Sequence, residues 1–116
     1  MTEIKITVGG DIEADASRRF ADAWRRAEQG ERFGERHLAF ESLETLARVL
    51  TTKRTELLRH VRRHDVGSIR QLATALGRDY SNVHADVKAL TTEGLLSSDG
   101  GRLSADYDVI EAKIAL

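Results

Sequence analysis

Two histidines, His60 and His64, stand four residues apart in a stretch that reads as helix, with Asp65 beside them. Both imidazoles would fall on one helix face, a spacing that could start a metal site. The residues between them are Val61, Arg62 and Arg63. The glutamate of an H-E-x-x-H pattern is missing, and two arginines would repel a divalent cation. No metal and no cofactor are expected. The chain has no cysteine, which excludes a thiol nucleophile, a disulfide and a Cys-zinc site. Gly9-Gly10 lacks the pattern of a phosphate loop, no G-x-S-x-G elbow occurs, and Glu3, Glu13 and the other scattered carboxylates form no acid–base pair. An enzyme is not expected.

A second set of polar residues is better organised. On a helix starting near Ser81, Val83, Val87 and Leu90 face inward, which leaves Ser81, Asn82, His84, Ala85 and Lys88 outward. Ser, Asn and His can donate or accept at base edges, and Ala85 is short enough to let the helix approach a thymine methyl. Lys88 lies further along, where phosphate is the natural partner. Arg78 and Tyr80 at the preceding turn and Arg70 at the start of the helix before it are further phosphate candidates, and Arg102 beyond a later turn could reach the minor groove or the backbone. The helix N-terminus near Ser81 also favours phosphate. Asp79 and Asp86 lie among these residues and would oppose a polyanion if turned toward it.

The elements that position this set begin with a helix capped by Ser68, running to about Leu76 and stopped by Gly77. Ala73, Gly77 and Val83 form the small–glycine–apolar spacing that lets two helices approach closely at a tight turn. Leu72, Leu76, Val87 and Leu90 complete the apolar set. Gly94 ends the second helix, and Asp99-Gly100-Gly101 is a hairpin signal between two short strand candidates over 95–104. A helix-turn-helix followed at once by a hairpin is a winged helix. The stretch LTTKRTELLRHVRRHDVGSIRQLATALGRDYSNVHADVKALTTEGLL resembles the MarR-like winged helix-turn-helix predicted transcriptional regulators of archaea and bacteria. The likeness is closest to small members with a similar RDYSNVHADVKAL helix, and it covers about residues 41–104. It implies a DNA-binding repressor or autoregulator, usually dimeric, without supplying an operator or an effector.

The remaining chain reads as flanking structure. Ile4, Ile6 and Val8 alternate with Lys5 and Thr7, a half-buried strand closed by Gly9-Gly10. Asp11 can cap a helix to about Gln29, stopped by Gly30, with Ile12, Ala16, Phe20, Ala23, Trp24 and Ala27 as its apolar stripe. Trp24 is expected in the core, or otherwise at a dimer interface. His37 to Phe40 reads as a strand. A helix over 41–50 would bury Leu43, Leu46, Ala47 and Leu50, and Thr52 can cap the next, about Lys53 to His64, with Leu57, Leu58 and Val61 inward. Residues 107–116 alternate cleanly and favour a strand, although Tyr107, Ile110 and Ile114 also suit a helix.

The expected architecture is α+β, mainly α: an arm over 1–40 for dimerisation or partner binding, a winged helix-turn-helix over 41–104, and a C-terminal strand over 105–116. The 116 residues carry a net charge of −1. Residues 51–104 are net +3 between flanks of −2 each, a modest hint of a polyanion partner for the middle. The recognition helix, about 81–93, would enter the major groove of double-stranded DNA, with the wing over 95–104 beside it, in a homodimer. Two alternatives stand: an antitoxin that binds a co-encoded toxin and represses its own operon, and a winged helix that binds only protein. No pocket signature marks a small-molecule sensor. The opening MTEIKITVGG lacks the regions of a signal peptide, and no apolar run spans a membrane, so a cytoplasmic chain is expected.

Overall fold

Ile4, Ile6 and Val8 are buried on one side of the first strand, and Lys5 and Thr7 point to the other. The computed structural model describes residues 2–9, 18, 20, 21, 24 and 35–116. In chain order its elements are β1 (Glu3–Val8), β2 (Glu35–Phe40), α1 (Leu43–Val49), α2 (Thr52–Arg63), α3 (Ile69–Leu76), α4 (Tyr80–Thr92), β3 (Ser97–Asp99), β4 (Arg102–Ser104) and β5 (Val109–Ile114). This is a small α+β protein with more helix than strand among the described residues. Two compact units form: residues 1–46 with 107–116, and residues 47–106.

The first unit holds a three-stranded sheet in the order β2-β1-β5. Both pairings are parallel. Parallel neighbours need a crossover of a dozen or more residues, and 9–34 is long enough to make the first. Register is set by the alternation: Ile6 lies between Leu38 and Ala112, and Lys5 between His37 and Glu111. Gly9 N–H donating to Phe40 O at 3.1 Å, and Ala115 N–H to Val8 O at 3.0 Å, carry the ladders one step further. The C-terminal segment is thus a strand, as its alternation favours. Just before it, Tyr107 is buried beneath the Arg36 guanidinium, 5.7 Å from the ring centre. Burial pushes its phenol up to about 12, against the opposing pull of Arg36.

Several expectations are corrected in this unit. β2 starts at Glu35, two residues before the HLAF run. Of the helix expected over 11–29, Arg18, Phe20, Ala21 and Trp24 are helical and the rest lies outside the described residues. Phe20 and Trp24 are not core residues: they are 71% and 60% exposed, with ring centres 6.5 Å apart. Helical periodicity shows which residues share a face, not which face becomes covered. Likewise α1 buries Leu46 alone of its expected stripe, while Leu43 and Ala47 are exposed and Leu50 is half-buried.

The second unit packs α2, α3 and α4 around Leu57, Leu58, Val61, Leu72, Ala73, Val83, Val87 and Leu90, with Leu95, Leu96 and Leu103 from the chain that follows. Leu76, expected in this set, is half-buried. α2 is capped by Thr51, whose hydroxyl accepts from Arg54 N–H at 3.2 Å, one residue ahead of the Thr52 expected. The hairpin β3–β4 is antiparallel and pairs Asp99 with Arg102 across Gly100-Gly101. Both glycines have positive φ (59° and 89°), the twist that matches a two-residue hairpin. Leu95 and Leu96 precede the strand rather than forming it; buried in the core, they anchor the hairpin's root. Leu103 N–H donates to Val66 O at 3.0 Å, so one further backbone segment pairs with β4.

Candidate nucleic-acid interface

The turn between α3 and α4 is set by local chemistry. Ser68 caps α3, its hydroxyl accepting from Gln71 N–H at 3.1 Å. Gly77 sits at φ 63°, ψ 36°, and two bonds close the helix: Arg78 N–H to Ala73 O at 3.0 Å and Gly77 N–H to Thr74 O at 3.1 Å. This bond pair, with the glycine left-handed, is a Schellman end. It turns the chain so that Asp79 can cap α4, and Val83, with no exposure, meets the core. Leu95 N–H to Leu90 O at 2.9 Å and Gly94 N–H to Thr91 O at 3.1 Å end α4 in the same way. α4 begins at Tyr80, one residue ahead of the Ser81 expected.

Inward packing of Val83, Val87 and Leu90 leaves Ser81, Asn82, His84, Ala85 and Lys88 exposed. Tyr80 is 44% exposed and joins this face. Its ring lies 6.0 Å from that of His84, and the Arg70 guanidinium stands 5.3 Å from its centre. Arg70, Tyr80 and His84 therefore form a continuous row from α3 onto α4. A hollow lined by Ser68, Arg70, Gln71, Thr74 and Ala75 runs along the exposed side of α3.

Both acidic residues of this region are occupied. Asp79 accepts from the Ser81 hydroxyl and from Asn82 N–H, and these bonds hold its carboxyl below the usual carboxylate range. The same bonds place a carboxylate at the helix N-terminus that was expected to suit phosphate. Asp86 is turned into the structure, where Arg54 Nε donates to it at 3.0 Å and Arg78 Nη2 at 2.7 Å. Burial pushes the Asp86 carboxyl up, but the hydrogen bonds from Arg78 and Arg54 outweigh it and its pKa lies below the ordinary value. Arg54 also donates from Nη1 to Arg48 O and Val49 O, both at 3.1 Å, so it ties the end of α1 to α2 and α4.

Arg78 is thereby withdrawn from the exposed set. Its side chain is 16% exposed, and its Nη1 is buried without a hydrogen-bond partner. The geometry gives it a bracing task in place of the phosphate contact expected. Arg102 is exposed at the start of β4 and pairs with Asp65, itself exposed. Arg54 escaped the sequence reading because its partner Asp86 is 32 residues away and no local pattern links them.

His60 and His64 stack, with ring centres 4.1 Å apart, and His64 Nδ1 donates to His60 O at 3.0 Å. Partial burial, then the neighbouring His64, push the His60 imidazole below its ordinary pKa. Among the described residues no three His, Asp or Glu side chains gather in a way that could hold a metal ion.

A family model described as HVO_A0114 matches residues 49–112. The chain belongs to the HVO_A0114 family. No curated protein and no solved structure matches the chain. The stretch shared with HVO_A0114 runs from the last residue of α1 through α2, α3, α4, the hairpin and most of β5. It contains the whole exposed face of α4, whereas β1 and β2 precede it.

Proposed function

We propose that this HVO_A0114 member is a sequence-specific DNA-binding transcriptional regulator, a repressor or autoregulator of MarR-like winged-helix type. In this reading α3 and α4 are the helix-turn-helix, β3–β4 is the wing, and α4 enters the major groove. Ser81, Asn82, His84 and Ala85 meet base edges, while Arg70, Tyr80, Lys88 and Arg102 meet the backbone. The chain acts as a cytoplasmic homodimer, which would set two such helices roughly 34 Å apart. One observation carries the reading. The exposed face of α4 bears hydrogen-bonding and cationic side chains, and its two carboxylates, Asp79 and Asp86, are each engaged by neighbours. Asp86 is drawn off this face by its two arginines, while Asp79 stays exposed as the helix cap.

A second reading, an antitoxin whose other unit binds a toxin, is favoured by the exposed aromatic pair Phe20 and Trp24. Both readings include DNA binding, so the deciding experiment is the same. DNA from upstream of the gene is titrated with the full chain at two salt concentrations, with nonspecific competitor. Tight, competitor-resistant binding that weakens with salt is the expected result. Absence of binding at low salt would overturn both readings and leave a winged helix that binds only protein.

A further inference from the structure

β5 carries a symmetry that DNA binding does not absorb. The strand pairs with β1 on one side, and among the described residues no strand pairs with it on the other. Ala115 N–H donates to Val8 O. Backbone direction alternates along a strand, so Val109, Glu111 and Lys113 turn their N–H and C=O groups toward β1, while Ile110, Ala112 and Ile114 turn theirs away from it. Side chains do not close this side off: Glu111, Ala112, Lys113 and Ile114 are all exposed, Ile114 by 49%. Ile6 and Val8, their neighbours in register on β1, are buried. The apolar face is therefore covered at the centre of the sheet and bare at β5.

We infer that β5 joins a second copy of this chain edge to edge, antiparallel, about a two-fold axis at Ala112. The inference rests on the homodimer of the proposed function and names its contact. The run Ile110-Glu111-Ala112-Lys113-Ile114 is complementary to itself reversed. With Ala112 facing Ala112, Glu111 of each copy faces Lys113 of the other, and Ile110 faces Ile114. The pairs at Ala112 and at Ile110–Ile114 are those whose backbone groups point outward, so each exchanges both N–H···O bonds. Glu111 and Lys113 fall at the positions without such bonds, where facing side chains come closest. An axis one residue away, at Glu111 or at Lys113, would set two like charges directly opposite each other. A lysine on an edge strand ordinarily discourages pairing; here the same strand reversed supplies its counter-charge. β2 lacks this symmetry, since an axis at Leu38 would set Arg36 against Phe40. Both copies contribute only the unit of residues 1–46 and 107–116, so the contact stands whether or not α4 reads DNA. It makes one continuous sheet in the order β2-β1-β5-β5′-β1′-β2′.

The test uses the full chain without DNA, so a failure to bind DNA leaves it untouched. The sequence has no cysteine, and Ala112→Cys puts one thiol on each side of the axis. Hydrogen-bonded partners there have Cα atoms about 5.5 Å apart, within the span of a disulfide. Mild oxidation should link Ala112→Cys into a covalent dimer, while Ser98→Cys, exposed on β3, stays unlinked. Glu111→Lys and Lys113→Glu each set like charges opposite at both facing positions. Sedimentation over a concentration series should show the dissociation constant of each raised about tenfold. Mixed one to one, the two variants face opposite charges at every position and should dimerise as tightly as wild type, a recovery that simple damage to the fold would not give. A chain that stays monomeric at every concentration would overturn both the inference and the homodimer. A dimer that Ala112→Cys links no faster than Ser98→Cys, or that mixing does not restore, would overturn the inference alone and place the dimer contact elsewhere.

Discussion

Asp86 lies in the middle of the helix proposed to meet DNA, and the two arginines that engage it decide what that helix presents. Removing the carboxylate leaves Arg54 and Arg78 facing each other, half-buried and unbalanced. Asp86→Ala should cost about 1–3 kcal/mol, the penalty for orphaning charged hydrogen-bond partners. The pH dependence follows from the lowered carboxyl. A group with a depressed folded pKa stabilises the fold above its unfolded value, near 3.9, and loses that contribution as pH falls through the folded value. Urea unfolding from pH 7 to 3 should show wild type more stable than Asp86→Asn at neutrality, with the gap closing below about pH 4. A gap that is constant with pH would mean the ion pairs contribute nothing. The contact residues should separate by role. Lys88→Ala should weaken binding to every DNA sequence and reduce the salt slope by about one unit. Asn82→Ala or His84→Ala should lower discrimination between sequences by about 1–3 kcal/mol with the salt slope kept. Competition titrations over a salt series measure both. The danger posed by Asp86 was legible in the sequence; its remedy was not, because Arg54 reaches it from another helix.

At the scale of elements, the α3–α4 turn depends on one backbone angle. Gly77 has φ 63°, and an added Cβ would meet nothing within 4 Å. Gly77→Ala therefore introduces conformational strain without a clash, and should lower stability by about 1–2 kcal/mol. Gly77→Asn should cost less, since asparagine visits the left-handed region more readily. Thermal or urea unfolding of the two variants checks the order, and equal costs would point to a steric cause. Ser68, Gly77 and Gly94 were readable as helix ends because a cap acts over three or four residues. The start of α4 moved to Tyr80 because the Asp79 side chain reaches the Asn82 amide, a choice between neighbouring caps that periodicity does not make. The hairpin's turn was legible in Asp99-Gly100-Gly101, but Leu95 and Leu96 were absorbed by the core.

At the scale of the whole molecule, the sheet draws its strands from both ends of the chain. Among the described residues β1 is central and bonded on both sides, whereas β2 and β5 each have one edge with no strand partner. In the dilute monomer, hydrogen exchange should therefore leave the amides of β1 protected longest in this sheet, with β2 and β5 exchanging sooner. Equal protection across the three strands would mean an edge is covered within the chain. Open edges invite pairing with a second copy, and sedimentation of the full chain over a concentration series tests the dimer in the proposed function.

The sequence by itself determined what short-range chemistry controls: the helix ends at Ser68, Gly77 and Gly94, the inward residues Val83, Val87 and Leu90, the alternation of β1, and the exposure of Ser81, Asn82, His84 and Lys88. Each depends on residues within one or two turns or on a fixed side-chain period. Tertiary structure decided the rest. A period of two assigns residues to faces but does not choose a neighbour, so the parallel order β2-β1-β5 was not legible. A helical stripe does not say whether it is covered, so Phe20 and Trp24 came out exposed. Arg78 was diverted to Asp86 only when segments far apart in the chain were brought together.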